Sequence, residues 1–394
     1  MIPAAAPVCS APVAAAPARQ ASIDVLRAVA IALMVVVHFA ENLAGWFGAG
    51  ESGFAGIHRT WWLPTGFGAP TFTFLTGVSY RLWLDLQRRR GRSEVAIAKG
   101  TIRRGLFLIG LGFAFNVLIW LPEDVFNWDI LTLIGCGLLT LEAARRMPDA
   151  VVVFAAALIV AVAPALRAVV GYTTYWTQGY FDYEFTLADV ALGGLVTGYF
   201  PIFPWLAYPL TGYALAPRLM GHGASPPDAV GQAWNWPRCL PAFGLVVAAW
   251  LAMLAWPALP PMVTGNATEA WTMFPASTAY VLGTLGGVVL ALVGLHRLLD
   301  GARPRYRGLV AWAAPLSRHS LSIYLLHHAV HVWPLWAVGM ATSGEPTALW
   351  QVAMPIGWAL GLAAAFLVGA AVCCRWAERR GVPTVESLMR WICD

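Results

Sequence analysis

The stretch SIDVLRAVAIALMVVVHFAENLAGW (22–46) decides the fold. Ten consecutive apolar residues stand between Arg27 and His38, with further apolar side chains on either side. A helix needs about 20 predominantly apolar residues to cross the hydrocarbon core of a bilayer, and residues 28–47 read as such a span. Working outward, comparable stretches follow at 66–84, 105–121, 130–144, 149–171, 199–217, 240–260, 275–296, 314–340 and 348–374. The sequence therefore predicts an all-α, polytopic membrane helix bundle of about ten transmembrane helices.

Composition agrees with this reading. Of the 394 residues, 59% are apolar and 11% charged, against roughly 25% charged in soluble domains. Ten spans and their loops occupy nearly the whole length, so no separate soluble domain is expected. The fourth span is short and calls for tilt or local thinning of the bilayer. The Pro-rich run GYFPIFPWLAYPLTGYALAP interrupts the sixth, because each Pro removes a backbone donor and bends a helix. Irregular backbone at membrane depth survives only against protein or a water-filled cavity, so this span faces the interior. Residues 172–198 are aromatic and mildly acidic, suited to the outer surface or to a segment dipping back into protein. Internal repeats and the paired broken helices of an inverted-repeat transporter are not evident.

Charge placement gives the direction. The chain holds 24 Arg and a single Lys, Lys99. With both termini cytoplasmic, 23 of these 25 fall on inner loops or inner helix ends, and Arg59 and Arg167 alone fall outside. That is the positive-inside pattern rather than a polyanion-binding stripe, so no nucleic-acid partner is expected. Trp61, Trp62, Trp120, Trp128, Trp176 and Trp271 gather near the outer interface, where amphipathic rings are stable. Residues 1–20 are Ala/Pro-rich and lack the basic and apolar regions of a signal peptide; they read as a disordered cytoplasmic tail. Residues 21–380 form the transmembrane domain and 381–394 a cytoplasmic C-terminal tail. The six cysteines show no zinc spacing, and none falls in an outer loop.

Ionisable residues inside spans are costly and mark functional candidates. Arg27 and His38, three helical turns apart, share a face with about 16 Å between them along the axis. Glu41 and Asn42 extend that stripe at i+3 and i+4 from His38. The functional reading is a tunnel wall, with Arg27 meeting a cytoplasmic anion and His38 acting as a general base tuned by Glu41. The plainer alternative makes Arg27 a positive-inside anchor and His38 an interhelical hydrogen-bonding group. Ser320, Tyr324, His327 or His328, and His331 form a second stripe at helical spacing. His327 and His331 have i, i+4 metal-ligand spacing, but the glutamate of HExxH is missing; no metal is assigned. In the outer loops, His58 lies beside Arg59, Trp61 and Trp62. Asp124, Asp129, Asp182, Glu184 and Asp189 are acids without a spacing that selects among them.

These residues carry a resemblance. Arg27-x10-His38 is similar to the first-helix signature of the acyltransferase 3 family of bacterial O-acetylases. GAPTFTFLTGVSYRL (68–82), RRGLFLIGLG (103–112), NWDILTLIGCG (127–137), YFPIFPWLAYPLTGYALA (199–216), MFPASTAYVLGTLGG (273–287) and LSRHSLSIYLLHH (316–328) resemble, in order, bacterial membrane proteins. Those proteins are named for the catalytic domain of lysosomal heparan-α-glucosaminide N-acetyltransferase. The resemblance implies a bacterial inner-membrane acyltransferase that moves an acyl group from cytoplasmic acyl-CoA to a hydroxyl or amine of a periplasmic glycan or glycolipid. Acetyl-CoA would be co-substrate, with no bound cofactor. In the lysosomal branch the position matching His38 is Asn and the catalytic histidine lies in the following loop, a role for which His58 is the candidate here. The choice between His38 and His58 stays open. Arg27, Arg81, Arg103, Arg104 and Arg318 would hold the CoA phosphates. Ser79 and Tyr324 would steady the oxyanion, with His327 on the substrate path. A solute transporter or flippase using the intramembrane Arg, His and Glu is the competing class, and a partner subunit without activity is a third. Self-association as a homodimer is left open.

Overall fold

A computed structural model describes residues 20–45, 66–120, 124–177, 180–220, 236–264, 270–300 and 306–394. The N-terminal tail to residue 19 and the loop holding His58, Arg59, Trp61 and Trp62 lie outside the described residues.

Local signals set the helix boundaries. Helix α1, Ala21–Ala44, contains neither Pro nor Gly and stops at Gly45, whose φ of 61° suits the left-handed C-terminal position that glycine adopts without strain. Helix α2 spans Gly68–Arg89. Helix α3, Glu94–Ile119, is capped by the Ser93 hydroxyl, which accepts from the Ala96 N–H at 3.2 Å. Helix α4, Ile130–Ala144, starts from the Asp129 cap, and α5, Asp149–Val170, runs from Pro148 to Gly171.

The predicted break in the sixth span is present, and it begins earlier than expected. Residues 172–177 and 180–186 form an aromatic cap with a 3-10 turn, Tyr172–Tyr175, and a two-residue antiparallel ladder, Trp176–Thr177 with Tyr180–Phe181. The chain then re-enters as α6, Leu187–Leu192, a π-turn at Gly193–Thr197, α7, Ile202–Trp205, and α8, Ala207–Met220. Pro201, Pro204 and Pro209 offer no backbone N–H, so a continuous helical ladder cannot form. Helices α9, Trp236–Ala255, α10, Pro261–Thr264, and α11, Thr278–Leu299, follow. The predicted ninth span, 314–340, is two helices: α12, Arg307–Arg318, and α13, Ser320–Ser343. The break falls at His319, whose φ and ψ of −108° and 28° leave the helical range, two residues after Ser317 is drawn into hydrogen bonds with α1. Helix α14, Ile356–Arg380, begins after Pro355 rather than at 348, and an amphipathic α15, Val385–Cys393, closes the chain.

Seven of these segments are long and apolar enough to cross a membrane: α1, α3, α5, the broken path Leu187–Met220, Cys239–Ala258, α11 and α14. The other three expected spans are α2 and α13, long enough but more polar, and the short apolar α4. Helix α1 sits at the centre and touches α2, α11, α12, α13 and α14. The outermost helices expose apolar side chains, such as Trp250 and Leu254 on α9 and Trp358, Val368 and Val372 on α14, as lipid contact requires.

Two glycine pairs let helices approach backbone to backbone, a mode of packing that lipid-embedded helices favour because burial against lipid gives no hydrophobic drive. A Cβ on Gly77 of α2 would lie 1.9 Å from the Pro209 carbonyl oxygen, and one on Gly212 of α8 would lie 2.2 Å from that of Phe74. Gly135 of α4 would likewise meet the Gly105 oxygen of α3 at 2.6 Å. Gly110 has open space around it. Gly77→Ala should therefore lower the thermal unfolding midpoint in detergent, at a cost of about 1–3 kcal/mol or more for overpacking. Gly110→Ala should be neutral or slightly stabilising by the same measurement. Equal behaviour of the two variants would contradict the close crossing.

Candidate functional site

A cavity of about 390 Å³ lies between α1, α2, α3, α4, α13 and α15, within the size range of small-molecule sites. At the basic face its wall carries Arg27, Ser79, Arg104, Ser320 and Glu386; deeper, it is apolar, with Phe72, Leu108, Leu131 and Leu138, and ends at Met34 and Tyr324. Helix periodicity explains the arrangement on α1: Arg27, Met34 and His38 recur at spacings of seven and four, which keep one face toward the same neighbours.

Arg27 is anchored rather than loose. Its Nη2 donates to Ser79 Oγ of α2 at 2.7 Å and its Nη1 to Ser317 Oγ of α12 at 3.1 Å, while Ser317 Oγ donates to Asp24 at 2.7 Å. Ser79 thus serves the guanidinium at the basic end. Arg104 stands over the Trp83 ring at 4.8 Å and pairs with Asp394 at 2.6 Å. The remaining predicted arginines lie elsewhere. Arg81 pairs with Asp149 at 2.9 Å and covers the Tyr213 ring; Arg318 makes a forked pair with Glu378 at 2.5 and 2.6 Å; Arg103 is exposed on α3. Of the five, Arg27 and Arg104 line the cavity. Helix α15 contributes Glu386 and Met389 to the wall, and Glu386 accepts from the Ser322 N–H and hydroxyl at 2.9 and 2.7 Å.

Beyond Tyr324 the two histidine stripes meet. The His38 ring centroid lies 4.5 Å from that of His328 and 5.3 Å from that of His327, and His331 is within 5.5 Å of His328. His327, His328 and His331 are all buried. Backbone carbonyls set their tautomers: His327 Nδ1 donates to the Tyr324 oxygen at 2.5 Å and His331 Nδ1 to the His327 oxygen at 2.5 Å. With Nδ1 protonated, each Nε2 is an acceptor. Asn42 donates to that of His331 at 2.8 Å, and His328 Nδ1 lies 3.3 Å from that of His327. Phe115 and Trp120 of the third span close the cluster at 5.4 and 5.0 Å from the His328 ring. Glu41 lies one turn beyond His38, half-buried, and among the described residues makes no hydrogen bond to it. His58 is outside the described residues.

The ring nitrogens of His38, His327 and His328 lie within 4.8 Å of one another, the metal-ligand spacing found among the described residues. An ion there would compete with the His328–His327 contact for one lone pair, and the trio includes no carboxylate. The same closeness suits a proton-relaying group equally well.

The residue that sequence spacing does not single out is Asp129. Its carboxylate caps α4, accepting from the Ile130 N–H at 2.5 Å, and also accepts from the Tyr324 hydroxyl. Tyr324 thereby bridges the cavity floor and the histidines, lying 5.6 Å from the His327 ring. The available signal was local: a polar Asn-Trp-Asp turn directly before an apolar helix is an N-cap, but its cross-helix partner lies 195 residues away. Tyr324→Phe leaves the Asp129 carboxylate buried without this donor and should destabilise the protein by about 1–3 kcal/mol, read as a lower unfolding midpoint; an unchanged midpoint would show that the bond carries no weight.

Comparison with known proteins extends the assignment. The family profile described as heparan-alpha-glucosaminide N-acetyltransferase, catalytic, matches residues 19–244. No individual curated protein matches the chain. The matched region holds Arg27, His38, Ser79 and Arg104, whereas α13 with Tyr324 and its three histidines lies beyond it. A match over more than half of the chain, containing the central helix that carries both Arg27 and His38 in a multi-pass apolar bundle, places this protein in the heparan-alpha-glucosaminide N-acetyltransferase catalytic family of membrane acetyltransferases.

Proposed function

We propose that the protein transfers an acyl group, acetyl in the first instance, from cytoplasmic acyl-CoA across a bacterial inner membrane to a hydroxyl or amine of a periplasmic glycan or glycolipid. The observation that carries this reading is the cavity leading from Arg27 and Arg104 at the basic face to Tyr324, which touches the histidine cluster. Guanidinium groups at the basic end suit the phosphates of CoA, and an apolar lining suits its slender arm. Tyr324 stands at the inner end of the cavity; its hydroxyl proton is held by Asp129 and would have to turn from that carboxylate to a thioester carbonyl to serve as an oxyanion donor. His38, one turn beyond Met34, would take the proton from the acceptor. The acceptor oxygen or nitrogen then attacks the thioester carbon, the carbon–sulfur bond breaks, and the departing thiolate receives a proton from the imidazolium. Positioning His38 among three other imidazoles gives the proton short routes onward.

The direct test is binding and turnover with acetyl-CoA. At a hundredfold excess over Kd, acetyl-CoA should stabilise the purified protein by about 2.7 kcal/mol, and slow hydrolysis of the thioester should accompany binding. His38→Ala should reduce transfer by roughly 10²–10⁴-fold while acetyl-CoA affinity stays within a few-fold. Arg27→Ala should weaken that affinity by roughly 10–100-fold, the loss of a charged hydrogen-bonding partner. Full turnover in His38→Ala with loss in His58→Ala would move the base to the loop. Absence of any stabilisation, together with solute flux in liposomes, would instead support a transporter.

The C-terminal helix supplies a separate expectation. Asp394 engages Arg104, one of the two arginines lining the cavity, so a CoA phosphate must compete with it. Asp394→Asn should tighten acetyl-CoA binding by up to about fivefold at low salt, the scale of a partly exposed ion pair, with the gain fading as ionic strength rises. Weaker binding in this variant would mean that α15 helps to form the site rather than obstructing it.

A further inference from the structure

Arg167, which charge placement along the sequence sets opposite the basic face, has surroundings built for an anion. It lies in the last turn of α5 and is 1% exposed. Its Nη1 donates to the Ala276 carbonyl at 3.0 Å, while Nε and Nη2 are buried without a hydrogen-bond partner. The Tyr172 hydroxyl, on the following turn, is also buried and unpartnered. Both residues line a small space beside the aromatic cap, bounded also by Tyr199, Trp205 and Phe274. Trp176 packs on two of these residues, stacked on Tyr172 at 5.6 Å and on Phe274 at 5.7 Å.

A guanidinium buried without a counter-charge costs several kcal/mol, more so at membrane depth. Among the described residues no carboxylate lies within ion-pair distance of Arg167: Asp182 is held by Thr177 at 3.1 Å and Asp189 by Tyr175 at 3.3 Å, both in the cap. The Nε–H and Nη2–H of a guanidinium project side by side from one edge, so a single acceptor atom can take both. The space admits about one water-sized sphere, about 10 Å³, so among anions a single atom suits it better than a carboxylate or sulfate group.

We propose that Arg167 and Tyr172 bind a single monatomic anion of the halide class, chloride under ordinary conditions, which neutralises Arg167 and clamps the aromatic cap that begins at Tyr172 to the 273–276 segment. The site is independent of the acyl-transfer reading and stands or falls without it.

The experiment compares thermal unfolding of the full-length protein in sodium chloride and in sodium gluconate at equal ionic strength. The unfolding midpoint should rise saturably with chloride; bromide should substitute, and crystals grown in bromide should show an anomalous peak beside Arg167. Tyr172→Phe, which removes one donor and little volume, should raise the half-saturating chloride concentration about tenfold. Arg167→Met should abolish the chloride response. If that variant does not fold, the Tyr172→Phe titration and the bromide peak decide the matter. A chloride-independent midpoint in the wild type would overturn the proposal. So would destabilisation by Glu269→Gln equal to that of Arg167→Met, because the counter-charge would then be that carboxylate, which lies outside the described residues.

Discussion

Hydrocarbon offers no hydrogen-bond partners, so every polar group carried into the membrane must be met by another from the same protein. In this bundle that constraint links segments far apart in sequence. Arg27 reaches Ser79 and Ser317, and Ser317 reaches Asp24. Asn42 meets His331, Tyr324 meets Asp129, and Tyr208 meets Thr284 at 2.7 Å. Arg145 is enclosed by Glu142 and Glu94, with Tyr80 donating to Glu142 at 3.2 Å. Each pairing fixes the rotation of two helices at once, because a helix turned away would leave a buried polar group unsatisfied.

The apolar packing works with these pairings rather than in place of them. Leucine and valine side chains gain little from leaving lipid for protein, so close contact has to come from shape. The Gly77–Pro209 and Gly105–Gly135 approaches supply it, locking α2 to α8 and α3 to α4. The cavity opens where such contact stops, between the α3–α4 pair and the α1–α13 pair. It is roofed on one side by polar groups already committed to partners and on the other by side chains of α15. The two faces of the molecule then differ in kind. The basic face is rich in ion pairs; on the other, among the described residues, stacked aromatic rings lie beside the buried Arg167.

Much of the fold was legible because its signals are local. Apolar run length marks a span, Pro spacing marks the broken path before α8, and the asymmetry of Arg sets direction. The polar stripes on α1 and α13 were legible for the same reason: helical spacing puts Arg27 and His38 on one face, and Tyr324, His327 or His328, and His331 on another. Misreadings came where tertiary contacts override a local rule. Apolar content alone makes 314–340 a single helix, yet the chain breaks at His319 beside the Ser317 that Arg27 and Asp24 engage. Nor does local sequence say which basic residues line the cavity, as Arg27 and Arg104 do. Only tertiary neighbours show that Arg318 belongs to Glu378 and Arg81 to Asp149.

The sequence by itself determined that the chain is a membrane helix bundle, which end of it is basic, and which helices carry ionisable side chains into the membrane, since each depends on residues near one another along the chain. Only the tertiary structure decided that the two histidine stripes face each other, that Asp129 rather than Glu41 is the acid tied to the cavity floor, and that Glu386 and Asp394 reach the mouth beside Arg104. Those relations join positions up to 290 residues apart, and no local spacing encodes them. They follow from the requirement that buried donors and acceptors find one another across the bundle.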